Sequence, residues 1–291
     1  MNHKSFEEYI NAPFDMEPLS KDKKAPKEYP VFKGAVYYKC VSSKSDWLGI
    51  EAKITLPEFF PDKTRHENYT NPYGTFLRYL DTPSVYVGGS SDYETDIGFA
   101  FVQGLVNGTI SKGKITFRPF WRSIYEEDNI EKNVYSGTEL SQQSFYYYPG
   151  DTVKLDLVCL KPNELSLRIE LLEKTKIHPY CDYREHHGNE LFILNGIIAP
   201  GNGIHNSEYK RVNAIDQYHN EAKPTQETTA KAIGASWNDV CLFHKKDGII
   251  KKVPFAKDKY KQIFSLDKSM FTIKTDQNNE KVNIISFQKD L

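Results

Sequence analysis

Acidic, basic and tyrosine side chains gather on one face of the central part of the chain. In the segment 94–102, Glu94 and Asp96 alternate with the apolar residues Ile97 and Phe99. The positions predicted to extend this polar face are Arg118, Tyr146, Tyr148, Arg168, Arg211 and Asn213. Carboxylates and guanidinium groups bind hydroxyl and peptide groups, and aromatic rings stack on the apolar face of a sugar. The pattern predicts a surface for saccharide or protein contact, or alternatively a solvated face with cross-strand ion pairs.

A second group of chemically capable side chains lies between residues 178 and 190. It combines imidazole, thiol and carboxyl groups: His178, Cys181, Asp182, Glu185, His186, His187 and Glu190. All three groups are zinc ligands in other proteins. Their spacing matches no metal motif, and polar residues collect between strands in any protein. The sequence therefore predicts neither a metal site nor a cofactor, and His178, Cys181, His186 and His187 stay as weak candidates.

Charge and terminal composition exclude several classes of partner. The chain has 38 basic and 39 acidic residues, whereas proteins that bind nucleic acid or anionic membranes carry a basic excess. Residues 1–5 lack the apolar stretch of a signal peptide, and no apolar run approaches the ~18 residues that span a bilayer. We expect an intracellular protein, soluble or held in inclusions, without nucleic-acid or membrane partners.

A period of two in the apolar residues indicates strands that position these groups. It follows residues 95–101, 153–159 and 165–171, so one face of each segment is buried. The predicted strands are 35–41, 47–55, 84–88, 94–102, 114–121, 144–148, 152–159, 165–172, 191–195, 209–215, 229–235 and 237–244. Helical periodicity is limited to two short segments, 5–11 and 258–264. Many short strands with almost no helix predict an all-β, antiparallel sandwich of two sheets.

The chain divides into three predicted parts. Residues 1–30 are polar and form an N-terminal arm, a kind of segment that is commonly mobile unless it packs on the body or on a neighbouring molecule. Residues 31–250 form the sandwich. Residues 251–291 form a C-terminal extension in which a β-hairpin, with its turn at 277–280, packs on the sandwich. The arm is thus a candidate for self-association.

Several short motifs occur in a recognisable order. They are Val85-Tyr86-Val87-Gly88, Glu94-Thr95-Asp96-Ile97-Gly98, Phe117-Arg118-Pro119-Phe120-Trp121 and Tyr148-Pro149-Gly150-Asp151-Thr152-Val153. This order resembles the concanavalin-like jelly-roll sandwiches, in particular their glutamic-peptidase-like branch. The later blocks 211–217 and 234–237 resemble uncharacterised sandwich proteins of spore-forming bacteria. The resemblance covers about residues 80–245.

The resemblance implies a pair of functional positions. In glutamic peptidases a Gln and a Glu on distant strands activate water, and by order these positions fall at Glu94 and Asp239. An ionised Glu94 cannot donate a hydrogen bond as Gln does, so the peptidase activity does not transfer directly. Two carboxylates can instead act as an acid and base pair on a glycosidic bond. Arg118 or Arg211 would then stabilise charge.

Three functional interpretations follow from the sequence. The first is a non-enzymatic binding or assembly protein that uses the polar sheet face for saccharide or protein contact. The second is a self-assembling structural or crystalline inclusion protein of a spore-forming bacterium, in which the arm exchanges between neighbours. The third is an acid-acting hydrolase, a peptidase or a glycosidase, that uses Glu94 and Asp239.

Overall fold

The strands of the chain form an all-β, antiparallel two-sheet sandwich. The computed structural model describes residues 5–17, 23–28, 30–71, 74–106, 109–127, 130–137, 147–175, 191–276 and 279–285. A single α-helix in these ranges, α1, spans Phe6–Ile10. The strands there are β1 Ala35–Ser42, β2 Trp47–Thr55, β3 Glu58–Phe60, β4 His66–Asn71, β5 Gly74–Tyr79, β6 Asp81–Ser90, β7 Glu94–Val106, β8 Thr109–Glu127, β9 Ile130–Gly137, β10 Thr152–Lys161, β11 Glu164–Glu173, β12 Leu191–Ile198, β13 Glu208–Gln217, β14 Lys231–Lys246, β15 Ile249–Pro254, β16 Tyr260–Phe264, β17 Phe271–Asp276 and β18 Asn279–Ile284.

The strands pair into two large sheets and one hairpin. Within the described ranges, the first sheet has seven strands in the order β16-β1-β13-β6-β7-β8-β9. The second has nine strands: its order is β12-β11-β10-β2-β14-β18-β17, and β15 and β3 both pair with β14. Strands β4 and β5 form a separate hairpin. The chain therefore crosses repeatedly between two layers, as the sequence pattern predicts.

The core lies between the two sheets. Ile97 and Phe99 of β7 are fully buried on the inner face of the seven-stranded sheet, and Leu155 and Leu157 of β10 are fully buried in the nine-stranded sheet. Each such side chain contributes about 1.5–3 kcal/mol by leaving water. Because the inner positions are odd-numbered on β7, its even-numbered residues face outward. The predicted alternation on these strands is confirmed.

An ion pair is buried inside this core. Arg211 Nη2 lies 2.6 Å from Glu280 Oε1, and the guanidinium carbon lies 5.3 Å from the centre of the Trp237 ring. Trp237 in turn donates from Nε1 to Asn213 Oδ1 at 2.7 Å. The prediction that Arg211 and Asn213 extend the outer polar face is therefore wrong, because the odd-numbered positions of β13 point inward.

The described part of the N-terminal arm packs on the outer face of the nine-stranded sheet. Tyr9 of α1 is fully buried, donates its hydroxyl to the Cys159 carbonyl at 2.6 Å and meets Phe243 edge-on at 5.1 Å. Farther along the arm, Lys23 Nζ lies 2.8 Å from His244 Nδ1. The helix predicted at 5–11 is present. Exchange of the arm between copies of the chain stays a prediction.

Some predicted elements differ from the structure. Residues 258–264 do not form a helix: Tyr260–Phe264 is strand β16, paired with β1. The two strands predicted at 229–235 and 237–244 are one long strand, β14, whose register shifts where β18 and β2 pair with it. Pairing with neighbouring strands overrides the weak local preference of these short segments.

The C-terminal part of the chain completes both sheets. The predicted boundary at residue 250 falls inside β15, β16 is an edge strand of the seven-stranded sheet, and β17 and β18 pair as a hairpin at the edge of the nine-stranded sheet. No helix in the described residues has the length and apolar character needed to cross a bilayer.

Candidate active-site cleft

A cleft of about 540 Å³ opens on the outer face of the seven-stranded sheet. It is lined mainly by even-numbered residues of β7, β8 and β13, because the odd-numbered residues of these strands point into the core. The side chains that carry its chemistry are Tyr37, Lys39, Tyr86, Glu94, Asp96, Phe120, Arg122, Lys210, Asp216, His219 and Glu221. Clefts of this size suit a small molecule or a few units of a polymer.

One wall of the cleft is formed by residues 30–34, which we call the strap. The backbone N–H of Phe32 in the strap donates to the Tyr37 hydroxyl at 2.7 Å. Gly34 ends the strap with a φ of +99°, and a Cβ there would lie 2.2 Å from the Asn220 carbonyl oxygen. Glycine is therefore required where the strap turns into β1.

Asp96 organises a network of cations beside the cleft. Lys210 Nζ lies 2.6 Å from Asp96 Oδ1, and Arg122 Nη2 lies 2.6 Å from Asp96 Oδ2. Burial alone would raise the pKa of Asp96, but the two cations outweigh it and lower the pKa to about 2. Lys210 also pairs with Glu94. Asp96 is therefore a fixed anion that positions Lys210 and Arg122.

Two further carboxyl groups approach Arg122 from the end of β13. Glu221 Oε1 lies 2.9 Å from Arg122 Nη1. Asp216 is open to solvent, yet its pKa is raised, first because the cleft walls displace water around it and then because the carboxylates of Asp96 and Glu221 are near. Arg122 acts on the Asp216 carboxyl in the opposite direction. Asp216 thus keeps a proton at a higher pH than an ordinary aspartate.

An amine lines the cleft on β1. Lys39 is only 8% exposed, and its Nζ lies 5.7 Å from the centre of the Tyr37 ring. Burial, followed by repulsion from Lys210, lowers the pKa of Lys39 to about 8. The cleft therefore holds an acid and an amine whose pKa values have moved toward neutrality.

Several residues predicted from the sequence lie on this face. Glu94 and Asp96 line the cleft. Arg118 lies opposite Ala100 on the same face, but it is buried and is not among the residues that line the cleft. No shift of register occurs at Pro119, which pairs with Phe99. Of the two β8 arginines, Arg122 lies opposite Asp96 of β7 and pairs with it.

Other predicted site residues lie elsewhere. Asp239 pairs with Lys53 at 2.8 Å on the outer face of the nine-stranded sheet, so the core separates it from Glu94. The predicted pairing of Glu94 with Asp239 in one site is therefore wrong. Arg168 is on that second face too, bound to Asp156 at 3.0 Å.

Tyr148 is buried beside β10, where its backbone N–H donates to Asp151 Oδ2 at 2.8 Å, so it is not part of an open face. Tyr146 and the group between 178 and 190 lie outside the described residues. Among the residues that are described, no three His, Cys, Asp or Glu side chains are arranged to hold a metal ion.

Sequence reasoning missed Lys39, Arg122, Lys210, Asp216 and Glu221. The outward position of Arg122 could have been predicted from the sequence, because it continues the alternation of β8 two residues after Phe120. Asp216 and Glu221 give no such signal, since they stand at and beyond the end of a strand, where polar residues are common in any protein.

Three solved structures that are similar to this chain are structures of peptidases. Two are scytalido-glutamic peptidase with transition-state analogues, at 9% and 10% identity and TM-scores of 0.46 and 0.47. The third is SCP-B, a member of the eqolisin family, in complex with the tripeptide Ala-Ile-His, at 9% identity and a TM-score of 0.43. Each alignment covers 86% of this chain and 98% of the other. No protein-family model and no curated protein matches the sequence.

Scytalido-glutamic peptidase is of the kind that the sequence motifs resemble, a glutamic peptidase. With identities of 9–10% and TM-scores below 0.5, the likeness assigns no activity and no residue role to this chain. The function must be argued from the cleft itself.

Proposed function

We propose that the cleft is the active site of an acid-acting hydrolase in which Asp216 donates a proton and Glu221 activates water. One observation carries the proposal: an accessible carboxyl with a raised pKa shares the cleft with a second carboxylate, and the guanidinium of Arg122 interacts with both. Carboxyl groups in different protonation states are the usual machinery of acid–base hydrolysis.

Glu221, Asp216 and Arg122 have separate roles in the proposed reaction. Glu221 accepts a proton from a water molecule, and the resulting hydroxide attacks the electrophilic carbon of a peptide or glycosidic bond. Asp216 gives its proton to the leaving nitrogen or oxygen as the bond breaks, and with a peptide substrate Arg122 stabilises the negative charge that develops on the carbonyl oxygen. Exchange with solvent then returns the proton from Glu221 to Asp216. Asp96 does not react, because it is 3% exposed and bonded to two cations, but it holds Arg122 in place.

The proposal fixes the sign of the pH dependence. Asp216 must be protonated to act, so its contribution to the rate is full below its pKa in the folded protein and is lost as the pH rises through that pKa, whereas Glu221 must be ionised and sets the fall in rate at lower pH. Because the cleft raises the pKa of Asp216, activity extends to a higher pH than an ordinary aspartate would allow. An acidic optimum is expected.

The test is a panel of unfolded protein and polysaccharide substrates, assayed from acid to neutral pH. Asp216→Asn and Glu221→Gln, which keep the size of each side chain, should each lower kcat by about 100-fold or more. Asp239→Asn is the matched control, since that exposed carboxylate lies on the other sheet and should leave kcat unchanged. Turnover that survives in Asp216→Asn would remove the proposal.

A second candidate function is binding without turnover, and the aromatic lining of the cleft favours it. Tyr86, Phe120 and Tyr218 offer rings on which a sugar or an apolar side chain can stack. In that case the wild-type protein binds an oligosaccharide or a peptide that it does not cleave. Phe120→Ala should then weaken binding about tenfold, whereas Asp216→Asn should leave the affinity unchanged.

A further inference from the structure

We propose that Lys39 is a reactive amine that captures small aromatic aldehydes in the cleft as a Schiff base. This goes beyond the proposed hydrolase function and does not depend on it, because none of the hydrolytic steps uses Lys39. The proposal rests on the surroundings of the amine in the sheet.

The stem of Lys39 is embedded among apolar side chains. Its directly opposite neighbours are Val212 on β13 and Ile263 on β16, and both are buried. Val41 and Tyr37, the next outward residues of β1, are buried in the same cluster. An ammonium group in such surroundings loses hydration, which favours its neutral form.

A second cation lies diagonally across the strand pair. Val41 is opposite Lys210, which places Lys210 two residues from the position opposite Lys39. The ion pairs with Asp96 and Glu94 hold the proton on Lys210, and its pKa is raised. Its fixed charge therefore repels a proton from Lys39. An amine beside a permanent cation in an apolar site is a known way to obtain a nucleophilic lysine.

Acidic groups oppose this effect without reversing it. Glu94 and Asp96 on β7 and Glu208 on β13 act to keep Lys39 charged, whereas burial and Lys210 act against them. The balance lowers the pKa of Lys39 to about 8. A substantial fraction of the amine is therefore neutral at pH 8, unlike an ordinary lysine.

The chemistry is a reversible condensation. The lone pair of the neutral amine attacks the carbonyl carbon, a C–N bond forms, and a proton moves from nitrogen to oxygen to give a carbinolamine. Loss of one water molecule then leaves a C=N bond between the aldehyde carbon and Nζ. The rings of Tyr86 and Phe120, which line the same cleft, favour an aromatic aldehyde over an aliphatic one.

Reductive trapping of the full chain tests the proposal. The protein is incubated with benzaldehyde and sodium cyanoborohydride, which reduces the imine to a stable secondary amine, and modified lysines are located by peptide mass mapping from pH 6 to 10. Lys39 should be modified at least tenfold faster than Lys53, an exposed lysine on the other sheet, and its rate should reach half-maximum near pH 8. Equal or slower modification of Lys39 would overturn the proposal.

A variant adds a second readout. Lys210→Met removes the neighbouring cation and should raise the pH of half-maximal modification of Lys39, whereas Lys53→Met should not change it. An unchanged profile in folded Lys210→Met, judged by its circular dichroism, would show that Lys210 does not activate the amine and would also contradict the proposal. Loss of hydrolytic activity in other variants has no bearing on either result.

Discussion

The two outer faces of the sandwich carry the same kinds of charged residue but differ in what covers them. On the nine-stranded sheet, Asp156 is 1% exposed and pairs with Arg168 at 3.0 Å and with Lys154 at 3.4 Å. On the seven-stranded sheet, Asp96 is 3% exposed and pairs with Lys210 and Arg122. Taken alone, the two networks are chemically equivalent.

The two faces differ in how far solvent reaches the carboxyl groups whose pKa is raised. The arm packs over part of the nine-stranded sheet, where Glu51 has a pKa raised by burial but is only 7% exposed and bonded to Lys252 at 2.8 Å. Asp216 also has a raised pKa, yet it is open to solvent beside a cavity of about 540 Å³. A buried ion pair occurs on both faces and does not distinguish them, whereas an accessible acid with a raised pKa beside an open cleft is the feature on which the proposed active site rests.

The largest expected effect concerns the arm that covers the nine-stranded face. Tyr9→Ala empties a fully buried aromatic site and should lower the free energy of unfolding by about 3–5 kcal/mol, as measured by urea titration. Tyr9→Phe keeps the packing and loses only the hydrogen bond to Cys159, so it should cost about 1 kcal/mol. If Tyr9→Ala lowers the free energy of unfolding by less than about 1 kcal/mol, the arm is not docked on this face.

The two buried aspartates should give equal losses of stability but different losses of activity. Asp96→Asn and Asp156→Asn each leave two cations without their carboxylate, so each should lower the free energy of unfolding by about 3 kcal/mol. Only Asp96→Asn should also lower turnover per folded molecule, because only Asp96 positions Arg122. Equal activity in the two folded variants would show that the two faces do not differ in their effect on turnover.

Acid should loosen the arm before it affects the cleft. Burial, and then the charge of Lys23, lowers the pKa of His244, while Asp15 Oδ2 at 3.1 Å opposes them. Because the folded protein disfavours protonated His244, stability is lost as the pH falls below the ordinary histidine value of about 6.5.

Hydrogen exchange at pH 7.5 and 5.5, corrected for the intrinsic rate, should therefore show faster exchange of the amides at 5–17 at the lower pH, with no change in β7. His244→Gln should remove this pH dependence. If it persists in that variant, another group controls the arm.

The smallest effect is expected at an exposed pair on the nine-stranded face. Lys53 and Asp239 are 45% and 53% exposed, so their attraction is weakened by water and salt. Lys53→Ala should change the free energy of unfolding by less than about 0.5 kcal/mol and leave turnover unchanged. A loss above 2 kcal/mol would show that exposure is a poor guide to the role of charges on this face.

Alternation along strands made part of this comparison predictable from the sequence. On β7, Ile97 and Phe99 are apolar and the intervening positions are not, so the pattern places Glu94 and Asp96 outward. On β13 the rule fails, because Lys210 and Arg211 are both charged and periodicity does not decide which one points inward.

The rest of the site depends on contacts between distant segments. Arg122 meets Asp96 only because β8 pairs with β7 in that register, and it meets Glu221 because the segment after β13 returns to the cleft. The pairing of Glu94 with Asp239 was inferred from their order along the chain, and order does not show that two strands belong to different sheets.

The most direct test of the account is a titration of the aspartate side-chain carboxyl carbons by NMR, with Asp216 and Asp96 assigned through their Asn variants. The account predicts that the Asp216 signal titrates above the ordinary aspartate value of about 3.9, while the Asp96 signal stays ionised until about pH 2. Two signals that titrate together near the ordinary value would contradict it, because the cleft would then hold no acid that differs from the ion-paired carboxylates around it.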